Sequence, residues 1–255
     1  MNLYEAIFAR KSIKKYSMDK LDDSMFINIL GFAHSLSPIS KDLNVEYKII
    51  DYDQVQQSGK NFGHIKAPYY LLFYSNKGKD FEINAGFLME QITLYLTTKG
   101  LGSCYCINLN LKKNMSEDSG LEFMIGLAFG KSEGEVYREV SKVKRLPLSD
   151  IAYLKEDISK NTKAILNAVR LSPSNMNSQP WRLVVYDNRI HIFCKKNIFL
   201  KSVLKDRKMI DIGISLAHLF IAAEEMWVNA TTVHLDNISQ QQFKKNDYVI
   251  TVKMS

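Results

Sequence analysis

The sequence predicts an α+β protein made of two related halves, each a largely antiparallel sheet packed with helices, and three observations predict it. Strand-like and helix-like runs are mixed along the whole chain. The stretch from Ile29 to Pro38 recurs at 164–173, with Leu30 on Ile165, Ala33 on Ala168, Leu36 on Leu171, Ser37 on Ser172 and Pro38 on Pro173, an offset of 135. Asn84 to Gly100 recurs over Asp211 to Trp227, with Gly86 on Gly213, an offset of 127. Two matches in the same order, each joined to a similar strand, point to an internal duplication. The two units are expected to pack about a pseudo-twofold axis, as a fused dimer would.

Each unit reads as a helix, a Ser-Pro loop, two strands, a long buried helix and a final strand. Tyr4, Ile7 and Phe8 mark an opening helix face. In the first unit VEYKIIDY and PYYLLFYS are β-rich runs, 83–99 is a helix apolar nearly all round, and FMIGLAFG is a further strand. In the second, WRLVVYD and RIHIFCK flank a turn at Asn188, and DYVITVKM is the last strand. The division is placed at residue 150, giving a cationic first half, 1–150, and a shortened second half, 151–255.

With 255 residues the chain can bury a sizeable core, and 46% hydrophobic against 24% charged residues argues against disorder. A net charge of +7 suits anionic partners such as phosphorylated cofactors, nucleic acids or membrane surfaces. No zinc-finger spacing, helix-turn-helix signature or basic-aromatic RNA motif accompanies it, so nucleic acid is not the expected partner. Cys104, Cys106 and Cys194 cannot all pair, and reduced thiols in a cytoplasmic protein account for them most simply. The start is too polar for a signal peptide, and the apolar run 212–223 is too short for a membrane span.

What the copies do not share points to function. Only the first opens with ARKSIKKY, where Arg10, Ser12 and Lys14 alternate and would face one side of an extended segment. Two cations around a hydroxyl make a phosphate-sized anion site; a solvated basic helix end is the alternative. Only the second keeps SPSNMNSQPW, in which Ser172, Ser174, Asn175, Asn177 and Gln179 can donate and accept on a backbone stiffened by proline. Such a loop suits a ligand edge of carbonyls and ring nitrogens; an N-cap or turn accounts for some of these residues. Each half thus holds one part of a site, and symmetric packing would let the two parts meet.

These residues resemble the flavin-dependent nitroreductase family, in its fused, internally duplicated subgroup. The likeness lies in the R-x-S-x-K opening (Arg10, Ser12, Lys14), the P-S-x-x-N-x-Q-P-W loop (Pro173 to Trp181), the G-L-G-S turn (Gly100 to Ser103) and the R-x-P-L segment (Arg145 to Leu148). It implies a nitroreductase-like fold, FMN as cofactor and NAD(P)H as electron donor. Arg10 and Ser12 would hold the FMN phosphate with Lys144 or Arg145, and Lys14 would sit at the pyrimidine edge of the flavin. Pro173, Ser174, Asn175 and Asn177 would line the ring and ribityl chain. The backbone donor to flavin N5 would fall near Ile107 and Asn108, with Lys60, Asn61 and Lys66 in reach of the ribityl or phosphate. One flavin site per chain follows, in a protein that need not dimerise because its dimer is fused.

The implied reaction passes hydride from NAD(P)H through FMN to a nitroaromatic, a quinone or a similar small acceptor. It needs no catalytic triad or metal, and the histidines are read as structural. Cys104 and Cys106 are read as buried small hydrophobes beside the flavin. A flavin-binding protein that senses or stores without turnover, and a basic nucleic-acid module, are the rival readings.

Overall fold

The computed structural model describes residues 1–57, 65–106, 109, 111, 116, 120–196, 207–238 and 245–255. It divides into two compact units, Met1–Lys142 and Val143–Ser255.

The first unit opens with α1 (Leu3–Ala9), whose free N–H groups are closed by a capping box: Glu5 N donates to Asn2 Oδ1 at 2.8 Å and Asn2 N to Glu5 Oε2 at 2.9 Å. At its other end Arg138 donates to the carbonyls of Ile7 (2.8 Å) and Phe8 (3.2 Å), supplying a cation where the helix dipole is negative. There follow α2 (Asp23–Ser35), β1 (Val45–Asp51), α3 (Tyr52–Gln57), β2 (Tyr69–Ser75), α4 (Phe81–Thr98), β3 (Gly102–Cys106) and β4 (Glu122–Gly130). The antiparallel sheet runs β1-β2-β4-β3. α2 and α4 cover one face, with α1 packed on α4, while Ile50, Tyr70, Leu72, Tyr74 and Ala128 belong to a second cluster with Val55 of α3. Coverage on both faces is why β2 reads as an unbroken apolar run.

The second unit contains α5 (Leu148–Ile151), β5 (Ala152–Leu154), α6 (Lys160–Arg170), β6 (Trp181–Tyr186), β7 (Arg189–Lys195), α7 (Lys208–Glu225), β8 (Ala230–Val233) and β9 (Asn246–Met254). Its sheet runs β5-β6-β7-β9-β8, antiparallel except that β5 joins β6 in parallel. Without β5, the order β6-β7-β9-β8 repeats β1-β2-β4-β3 strand for strand.

The repeat extends to single hydrogen bonds. Second and third strands meet with a bulge in both sheets, after Phe73 in one and after Ile192 in the other. α4 ends in a turn in which Gly100, at φ 72°, lets Leu101 N reach Leu96 O at 3.0 Å. At the offset of 127 α7 ends identically: Trp227, at φ 58°, lets Val228 N reach Ala223 O at 2.8 Å.

Two sequence expectations change. The division falls after Lys142 instead of after residue 150, because the segment from Val143 onward bonds into the second unit: Leu146 N donates to Gln179 Oε1 at 2.9 Å and β5 extends the second sheet. Strands β3, β5 and β8 were not expected; they are three to five residues long and too short to show a period. Among the described residues no helix is long and apolar enough to cross a membrane.

Candidate functional site

In the first unit the chain leaves α1 at Arg10 in extended conformation (φ −63°, ψ 134°). It then lies along β3: Ser12 bridges Ser103 in parallel and Ile13 N donates to Ser103 O at 2.9 Å. Arg10 also bridges Tyr137, and Tyr16 bridges Ser132. Gly102 makes this approach possible, since a Cβ there would lie 2.7 Å from the Ile13 side chain. Ile13 and Tyr16 are buried as anchors, while Ser12 and Lys14 are exposed.

Arg10 and Ser12 are in contact, and Lys14 follows two residues on along the same extended segment. Arg10 Nη2 donates to Ser12 Oγ at 3.2 Å. Burial pushes the Cys104 thiol up, against the opposing pull of the Arg10 and Lys14 cations and a hydrogen bond from Ser12. Arg10 is 2% exposed, and its Nε has no hydrogen-bond partner. Its ion pair is with Glu90 of α4, Nε to Oε1 3.9 Å, and Tyr105 donates to Glu90 Oε2 at 2.7 Å. A buried guanidinium that leaves most of its N–H donors unused among the described residues is matched to an anion in donor chemistry and in charge. Glu90 has one signal in the sequence, a lone carboxylate inside the apolar run FLMEQITLYL.

In the second unit the loop from Leu171 to Pro180 is fastened by Lys144, Arg145 and Asp211 as well as to itself. Arg145 donates through Nε to Ser172 O (3.1 Å), through Nη2 to Leu171 O (3.4 Å) and through Nη1 to Lys144 O (3.0 Å) and Asn177 Oδ1 (2.8 Å). Asn177 Nδ2 donates to Lys144 O at 3.1 Å, and Gln179 N to Ser174 Oγ at 2.9 Å. Asp211, buried in the first turn of α7, accepts from Asn175 N (3.0 Å) and Ser178 Oγ (3.4 Å). Asn84 of α4, the residue 127 earlier, accepts from Ile39 N at 3.0 Å, so both Ser-Pro loops are tied to their long helix in the same manner.

Two groups of these candidates are hydrogen-bonded within the second unit. Arg145 donates to oxygens of its own unit and so holds the loop. Ser174, Asn177 and Gln179 spend hydrogen bonds inside the loop and on Lys144, Arg145 and Leu146 beside it, while Met176, Asn177 and Gln179 sit at φ 50°, 56° and 46°. Left-handed backbone costs about 1–2 kcal/mol per non-glycine residue, and these bonds offset it. Pro173 is buried beneath them. The exposed residues of the loop are Met176, 87% exposed, Asn177 and Ser178, with Ser174 and Asn175 half-buried. Lys144 is exposed, and Lys66 lies over the Tyr52 ring at 5.3 Å. Ile107, Asn108, Lys60 and Asn61 lie outside the described residues.

The remaining polar candidates serve the core. His218 Nδ1 lies 2.9 Å from Ala168 O and His191 Nδ1 2.8 Å from Thr251 Oγ1, both buried. The three cysteines are free and buried.

A family model described as "Putative TM nitroreductase" matches residues 2–223. A crystal structure of a Thermotoga maritima protein described in similar words aligns over 100% of this chain and 93% of that one, at 21% identity and a TM-score of 0.66. An FMN-dependent nitroreductase from Clostridium difficile R20291 aligns over 58% of this chain and 96% of its own, at 21% identity and a TM-score of 0.45. A nitroreductase family protein from Clostridium difficile 630 aligns over 59% and 96%, at 18% identity and 0.46. No relative is found among curated proteins.

Proposed function

The chain belongs to the nitroreductase family, and on that premise we propose that it uses FMN to carry reducing equivalents from NAD(P)H to a small acceptor, a nitroaromatic, a quinone or a similar compound. The bound flavin would supply the hydride chemistry, so the protein needs to bind, orient and tune it electrostatically.

One observation carries the reading: the buried, under-used guanidinium of Arg10 beside the exposed Ser12 hydroxyl and the exposed Lys14. A phosphate monoester offers the charge and the acceptor oxygens that this trio lacks. Arg10 and Ser12 are assigned to the phosphate and Lys14 to the pyrimidine edge, where a cation favours negative charge. Pro173, Ser174, Asn175 and Asn177 of the second unit are assigned to the ring and ribityl chain, and Lys144 to the phosphate, on the sequence motif. The left-handed turn through Met176 and Asn177 supports the loop as a preorganised surface, since its groups are fixed before any ligand arrives.

The absorption spectrum of the freshly purified protein tests this. A yellow protein bleached by NADPH under nitrogen and recoloured by a quinone is expected. A yellow protein that NADPH leaves unchanged would indicate flavin binding without turnover, and a colourless one that takes up no added FMN would end both readings.

A further inference from the structure

Glu90 is a buried carboxylate, 0% exposed, on a helix whose other buried residues are uncharged. Burying a carboxylate costs several kcal/mol unless it is paired. Among the described residues its pairing is lopsided. Tyr105 O–H donates to Oε2 at 2.7 Å, a short bond to a charged acceptor, and Thr93 Oγ1 stands 3.3 Å behind that hydroxyl. The cation, Arg10, stays 3.9 Å from Oε1, and its Nε keeps its proton unshared although buried. An orienting clamp between these two side chains would be bidentate, with N–H···O distances near 2.8 Å. At 3.9 Å the carboxylate supplies charge without direction. Arg10 is oriented by other contacts: the Ser12 Oγ bond, the bridge to Tyr137 and the Arg138-capped end of α1.

We propose that Glu90 is the internal counter-ion of Arg10 and sets how tightly the Arg10 segment holds an incoming phosphate. Without an anion it neutralises the buried guanidinium, and when the phosphate arrives it opposes it across the same cation. This rests on the reading of Arg10 and Ser12 as the phosphate site. Affinity for FMN is therefore held below what the cation alone would give, and the cofactor's charge, more than its ring, is what Glu90 discriminates.

Glu90→Gln tests this with three ligands on the apo protein. FMN and riboflavin are titrated by flavin fluorescence, and inorganic phosphate by its shift of the melting temperature. The substitution should lower the melting temperature without ligand, tighten FMN about tenfold, leave riboflavin unchanged and enlarge the shift given by phosphate. FMN affinity that is unchanged or weaker in the variant would overturn the proposal, as would equal tightening of riboflavin. If the glutamine variant does not fold, Glu90→Met removes the charge without leaving an amide to satisfy, and the same outcomes decide. A wild-type protein that binds neither FMN nor phosphate would instead overturn the parent reading, and this inference with it.

Discussion

Ser12 and Lys14 carry different parts of the proposed site, and single substitutions separate them. Both side chains are exposed, so neither change should disturb folding. Ser12→Ala removes the hydroxyl beside Arg10 and is expected to weaken FMN by about 1 kcal/mol while leaving riboflavin unchanged. Lys14→Ala should weaken both flavins, because its assigned partner is the ring. Fluorescence titration of the two ligands against each variant checks this, and an equal effect of Ser12→Ala on both would remove the hydroxyl from the phosphate. The thiols beside this segment make a second prediction. Burial pushes the Cys106 thiol up to about 12, so it is protonated at neutral pH, and Cys104 is raised as well. Native protein should react slowly with a thiol-specific disulfide reagent at pH 8 and rapidly once denatured; fast native labelling would contradict the burial of β3.

α7 and the loop it holds show what the duplication predicts. Asp211→Ala removes the acceptor of Asn175 N and should cost about 1–3 kcal/mol in thermal stability. Asp211→Asn should cost little, because Asn84 does the same work in the first unit with an amide oxygen. At the other end of the helix, Trp227 is 95% exposed in the left-handed conformation that Gly100 supplies in α4. Trp227→Gly should stabilise the protein by about 1 kcal/mol, read as a higher melting temperature, and a lower one would contradict the strain assigned to that position. The long helices, the main strands and the two repeat offsets were legible in the sequence because periodicity and turn residues are local signals. The short strands and the roles of Arg145 and Gln179 were not, because partners 26 to 33 residues apart decide them. The polar row of the second loop was legible as a row, but its direction was not: composition does not distinguish a hydroxyl aimed at a ligand from one aimed at its own backbone.

Across the whole molecule, buried phenols set the alkaline limit. Tyr70 and Tyr74 are raised to about 12 and Tyr16 and Tyr47 further still, in each case chiefly by burial. Their neutral forms are favoured in the folded state, so the stability they contribute is complete below the ordinary phenol value of 10.0 and is lost as pH rises through the raised values. The melting temperature should fall steeply from pH 10 upward, together with phenolate absorbance. The proposed function rests on a cationic segment present in one copy and a left-handed polar loop present in the other, in a chain of the nitroreductase family. The most direct test is the ratio of FMN to riboflavin affinity of the wild-type apo protein. FMN bound at least about tenfold more tightly is the predicted result, lost progressively as salt screens the phosphate; equal affinities, or none for either flavin, would contradict it.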